Sequence, residues 1–122
     1  MSLLEFVMNC YNTNNFEGLS AILTPDCQYS SHWVFDTMVG NEKIENYLIR
    51  KSQAIESAKA YVTTKRGIII SPASAAGECI ALFQGTCAEG RPSCLMLLKE
   101  SNGKICGIHI TDPGLFRYGI VE

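Results

Sequence analysis

The stretch Ser30–Asp36, SSHWVFD, sets His32 beside the chain's only tryptophan, Trp33, with Asp36 four residues after the histidine. Histidine and aspartate together could take a proton near neutral pH. On an extended strand the two would share a face yet stand roughly 13 Å apart, so a direct bond between them needs a bulge or another partner. His32 therefore reads as a rim or outer-face histidine; the alternative is a bulged strand that carries it into a pocket as a general base. Asp112 is the second candidate base. It opens TDPG, where an aspartate ordinarily hydrogen-bonds its own backbone ahead of a proline and a glycine. Set against apolar walls instead, its carboxyl would rise in pKa and could act on a ligand.

Other chemistries find little support. The six cysteines, at 10, 27, 79, 87, 94 and 106, form no CxxC pair, and ECIALF and SCLMLL surround them with apolar neighbours. They read as free buried thiols, and no metal or cofactor is expected. SPASAAG and AEGRP contain glycines but lack the spacing and the strand-to-helix setting of a phosphate loop. A net charge of -2 and a pI near 5.7 offer no broad positive field, which argues against nucleic acid as a partner. No run approaches the ~18–20 apolar residues that cross a bilayer, and the first residues show no basic segment ahead of a long apolar one. A soluble, cytoplasmic protein with no membrane partner is the expectation.

At 122 residues and 47% apolar composition, one domain spanning 1–122 with its own core is expected. Leu4, Val7, Met8 and Tyr11 fall on one helical face, and NTNN ends that helix. Phe16, Leu19 and Leu23 repeat the spacing in a short second helix closed by Pro25. DCQYSSHWVFDTMV predicts one strand over about 27–39. EKIENYLIRKSQAIES then predicts the long helix, with Ile44, Tyr47, Leu48, Lys51 and Ile55 along one face. KAYVTTKRGIIIS, GECIALFQGTCAE, SCLMLLKES and KICGIHITD follow as an antiparallel meander.

Asn102-Gly103 is a strong two-residue hairpin signal, since a type I′ turn needs positive φ at both central positions. Counting back from it pairs Lys99 with Cys106, Leu97 with Ile108, Leu95 with Ile110 and Ser93 with Asp112. One face then holds Ser93, Leu95, Leu97, Ile108, Ile110 and Asp112. The other holds Cys94, Met96, Leu98, Ile105, His109 and Thr111. Both are largely apolar, so the sheet needs two covers; the helices supply one, and a second copy of the chain is expected on the other.

Helix, short helix, strand, long helix and curved meander is an order that resembles the nuclear-transport-factor-like superfamily, with its SnoaL-type cyclases, ketosteroid isomerases and scytalone dehydratases. YNTNNFEGLSAILTPDCQYSS looks like that family's helix end and first strand, and VGNEKIENYL like its entry into the long helix. The resemblance implies an α+β fold: a cone of three helices from the N-terminal half packed in a curved, mostly antiparallel sheet, the cystatin-like roll. It also implies a deep pocket and dimers through the outer sheet face, here Cys94, Met96, Leu98 and His109. Laying the isomerase pattern along NNFEGL puts its base at Ser31, its oxyanion tyrosine at Val7 and its proton-donating acid at Leu95. None of these side chains can do that work, so steroid isomerase chemistry is not implied.

The resulting functional expectation is a dimeric protein holding a small apolar or aromatic molecule in a pocket lined by Tyr29, Ser31, Trp33, Tyr47, Leu95 and Ile110. An isomerase, cyclase or dehydratase using Asp112 or His32 as base is one alternative. A protein–protein interaction module, its cone filled by side chains, is the other.

Overall fold

The structure, a computed structural model, describes residues 1–84 and 91–121. Helix α1, Leu3–Asn12, opens on a capping box in which Ser2 accepts from the Glu5 N–H and Glu5 accepts from that of Ser2. It buries Leu4, Val7, Cys10 and Tyr11, close to the face that the spacing predicts. The second expected helix is only a 3-10 turn, Leu19–Ile22. Gly18 enters it at φ +86, and Leu23 already begins strand β1, Leu23–Ser31, so too few residues remain to close an α-helix. Among the described residues two α-helices, not three, therefore pack in the cone. The second, α2, runs Asn41–Ser57 and buries Ile44, Leu48 and Ser52. Glu45 of α2 accepts from the Ser20 N–H at 2.8 Å, which fixes the 3-10 turn to it.

The single strand expected over 27–39 is two. β1 turns back at His32 and Trp33 into β2, Val34–Val39, antiparallel to it. β2 carries three residues against Ser30 alone, between the pairs Tyr29–Met38 and Ser31–Val34; this irregularity disrupts the ladder locally, and because it adds two residues Val34, Asp36 and Met38 keep one face. The rest of the sheet is β3, Val62–Ser71; β4, Gly77–Gln84; β5, Cys94–Ser101; β6, Lys104–Thr111; and β7, Arg117–Val121. The part of the third expected strand beyond Gln84, with Cys87 and most of AEGRP, lies outside the described residues.

The order is β2-β1-β6-β5-β4-β3-β7, antiparallel except where β1 and β6 run parallel. The expected α+β cone with a curled, mostly antiparallel sheet is what the chain forms. Its concave side closes on α1 and α2 through Cys27, Tyr29, Ile80, Leu82, Met96, Ile105, Ile108 and Ile110.

The last hairpin corrects the face assignment. Asn102 and Gly103 do take positive φ, +52 and +78, as a type I′ turn requires. Glu100 pairs with Ile105, however, and Lys99 with Gly107, so Cys106 is an extra residue and every pair beyond it slips by one. Met96 lies opposite Ile110, and Leu95 opposite Thr111. Cys94, Met96 and Leu98, expected outside, thus pack on the concave side with the helices. Leu95, expected in the pocket, is buried on the convex side with Ile69, Cys79 and Ala81, and Leu97 packs against them. His109 lies opposite Leu97 on that convex side, as expected. Its Nδ1 is 2.7 Å from the Ser30 hydroxyl.

Candidate functional site

Between α2 and the concave faces of β1, β2, β4, β5 and β6 lies a cavity of about 460 Å³. A volume in this range suits a small organic ligand. Tyr29 and Tyr47 form its aromatic floor, their rings 5.6 Å apart and tilted by 58°. Met38, Cys94 and Ile110 complete the apolar wall, with Trp33 and Val34 at the hairpin tip. Each is placed by simple periodicity: Tyr29 and Ser31 alternate on β1, and Cys94 and Ile110 come inward through the slipped register.

Polar groups stand at both ends. Ser31 and Asp36 line the β1–β2 wall, Asp36 on the same face of β2 as Val34 and Met38. Lys51, Gln84 and Ser93 line the wall built by α2, β4 and β5. Lys51 follows Tyr47 by one helical turn, and its Nζ stands 5.9 Å from the centre of that ring. Ser93 Oγ accepts the Gln84 N–H at 3.1 Å and so ties the two strands at the rim. Burial dominates the acid–base character of the wall. It pushes the Cys94 thiol up to about 11, with the charge of Lys51 pulling the other way. Burial, then the neighbouring Tyr47, also raises the Tyr29 phenol, against a smaller opposing pull from Tyr11. Both groups hold their protons at neutral pH and meet a ligand as neutral surfaces.

Of the side chains expected to line the pocket, Tyr29, Ser31, Trp33, Tyr47 and Ile110 come together here, and Leu95 does not. Neither candidate base borders the cavity. His32 is exposed at the hairpin turn; its backbone N–H donates to the Ile110 carbonyl at 2.8 Å and its ring meets Trp33 edge-on. Asp112 accepts from the Gly114 N–H at 2.9 Å and caps the 3-10 turn Pro113–Leu115. That is the turn chemistry its TDPG setting suggests.

Among the described residues, Asp36 and Lys51 are the charged lining that sequence reasoning left unassigned. Lys51 was legible as part of the helix face of Tyr47 and Leu48, whereas the face of Asp36 follows from the turn at His32 and Trp33, which has no glycine or proline to mark it and resets the alternation between β1 and β2. Among the described residues no three histidine, cysteine or acidic side chains cluster to hold a metal, and no helix is long and apolar enough to cross a membrane.

No protein-family model matches the chain, and no curated protein does. Solved structures do. An NTF2-like protein of unknown function from Cytophaga hutchinsonii superposes with a TM-score of 0.57 at 16% identity, covering 93% of this chain and 89% of that one. An LEH-like epoxide hydrolase of M. tuberculosis gives 0.56 at 15%, covering 94% and 80%. A Kribbella flavida protein, provisionally described as a ketosteroid isomerase, gives 0.62 at 18%, covering 91% and 75%. At these identities the likeness is one of architecture, and it extends over nearly the whole chain. The two-helix cone and its curled sheet are the fold of the NTF2-like, SnoaL-like proteins.

Proposed function

We propose that the protein binds a small, largely apolar or aromatic molecule between α2 and the concave sheet. The observation that carries this reading is the open, aromatic-floored cavity of about 460 Å³, which the side chains of the cone leave unfilled. Tyr29, Tyr47 and Trp33 present ring faces and edges for a flat ligand, while Met38, Cys94 and Ile110 give it dry walls. A purely structural cone would fill that space, because protein interiors pack at crystal-like density. The reading assigns no reaction. His32 and Asp112 stand away from the cavity, and among the described residues Asp36 is the carboxylate that a substrate there would meet.

A neutral naphthalene dye whose emission shifts to the blue in apolar surroundings tests this directly. Saturable binding to the native chain is expected, as is its loss in Cys94→Phe, whose ring would occupy the cavity; thermal melting reports whether the variant still folds. Undiminished binding in a folded Cys94→Phe would refute the reading.

Pairing of two copies through the convex face belongs to the same proposal, with its surface redrawn. Half-buried Phe83, Leu97, Phe116, Tyr118 and Ile120 crown the convex cluster, and His109 lies on the same side. They replace Cys94, Met96 and Leu98 as the surface on which a mate would rest.

A further inference from the structure

The two charged side chains among the described residues of the cavity lining belong to different walls. Asp36 is on β2, and Lys51 reaches from α2 toward Cys94 of β5. In the order β2-β1-β6-β5 those strands are three spacings apart, roughly 14 Å measured along the sheet. Among the described residues neither Asp36 nor Lys51 takes part in an ion pair. The cavity is therefore polarised: cation, amide and hydroxyl at the β4–β5 end, acid and hydroxyl at the β2 end, aromatic floor between them.

We infer that the ligand carries a single carboxylate, that this group seats against Lys51 at the β4–β5 end, and that its apolar or aromatic body lies over Tyr29 and Tyr47. The inference rests on the cavity reading above and adds the chemical class of the ligand. Several features favour a carboxylate over a more highly charged anion. The described lining supplies one positive charge and no guanidinium fork. Lys51 lies in the C-terminal half of α2, Asn41–Ser57, far from the helix N-terminus that would favour a phosphate. Asp36 gives the arrangement its direction, since an anion is repelled from the β2 wall and drawn to the opposite one. Lys51 itself is exposed at the mouth of the cavity, so its attraction is that of a hydrated, salt-screened cation, and the apolar body over the tyrosines supplies the rest of the affinity.

Two probes of nearly equal shape separate the alternatives: 2-naphthoate, with one carboxylate, and 2-naphthalenemethanol, its neutral counterpart. Titration is followed by Trp33 emission and checked by calorimetry. For the native chain 2-naphthoate is expected to bind about two- to fivefold more tightly, the range an exposed ion pair gives, and that advantage falls as salt is raised. The ratio of the two affinities should collapse toward unity in Lys51→Gln and be largely retained in Lys51→Arg. Equal or weaker binding of 2-naphthoate by the native chain overturns the inference while leaving the cavity reading intact. So does a preference that survives Lys51→Gln. If neither probe binds, the cavity reading fails, and the ligand class fails with it.

Discussion

Truncating Leu95 and Ile110 in parallel separates the two faces of the sheet, because the hairpin counted without a bulge puts both in the pocket whereas the observed register divides them. Leu95 is 0% exposed, closed in by Ile69, Cys79 and Ala81 on the convex side. Leu95→Ala removes three carbons' worth of burial, about 2.4 kcal/mol at ~0.8 per methylene. The void left in a closed cluster raises the cost, within a range of about 2–5 kcal/mol. For a domain of this size that lowers the melting temperature by about 10 °C or more. Ile110 is 8% exposed and borders the open cavity, so the space left by Ile110→Ala merges with room already present, and the cost stays near the transfer term of about 2 kcal/mol. Ligand binding should respond in the opposite order. Ile110→Ala loses wall contact worth about 1–2 kcal/mol, roughly 5- to 30-fold in affinity, while Leu95→Ala leaves the affinity of the folded fraction within about twofold. Urea denaturation followed by circular dichroism gives the first quantity, and dye titration of the folded proteins gives the second. A Leu95→Ala that weakens binding more than Ile110→Ala would refute the register and the lining together.

Further expectations follow from single contacts. A Cβ at Gly67 would come within 2.8 Å of Cys79 Sγ, so Gly67→Ala should cost about 1–3 kcal/mol, and Cys79→Ala should recover part of that loss in a double-mutant cycle measured by urea denaturation. Burial raises the thiols of Cys10, Cys27, Cys79 and Cys94 from 9.0 to about 11, so the folded state holds protons that the unfolded state gives up. Stability should therefore be flat up to about pH 9 and fall as pH rises through 11, read from urea midpoints across that range; a rise over that window would contradict the burial. Leu97→Glu or Ile120→Asp should turn the proposed dimer into a monomer in light scattering, and a native chain that is already monomeric, or an unchanged mass in the variants, would remove the convex face as the mating surface. Asp112→Ala should cost about 1 kcal/mol by removing a cap and leave dye affinity unaltered; a large loss of binding would return Asp112 to the site.

Those elements that announce themselves locally were legible in the sequence. Ile44, Tyr47 and Leu48 mark α2, and Asn102-Gly103 marks its turn because few residue pairs accept two successive positive φ values. The register beyond that turn was not legible, for a physical reason. Cys94-Leu95-Met96-Leu97-Leu98 is apolar at every position, so a slip of one residue leaves the hydrophobic pattern unchanged, and the alternation that normally fixes a strand is missing. The bulge at Cys106 then goes unannounced. His32-Trp33 likewise makes a two-residue turn without glycine, asparagine or proline, which is why β1 and β2 read as one strand. Tyr29, Ser31 and Ile110 could be placed in the cavity because alternation counted from β1 and from the inward row of β6 happened to agree with the observed faces. Leu95 could not, because its face is inferred through a pairing with Ile110, and the extra residue Cys106 lies between the turn and Ile110, so the two end on opposite faces.

Methyl and aromatic NMR shifts on adding 2-naphthoate would locate the ligand without any assumption about chemistry. Saturable shifts confined to Ile110, Met38, Tyr29, Tyr47 and Trp33, with Leu95, Leu97 and His109 unmoved, are expected for a ligand held between α2 and the concave sheet. Shifts centred on Leu95, Leu97 and His109, or none at all, would contradict it.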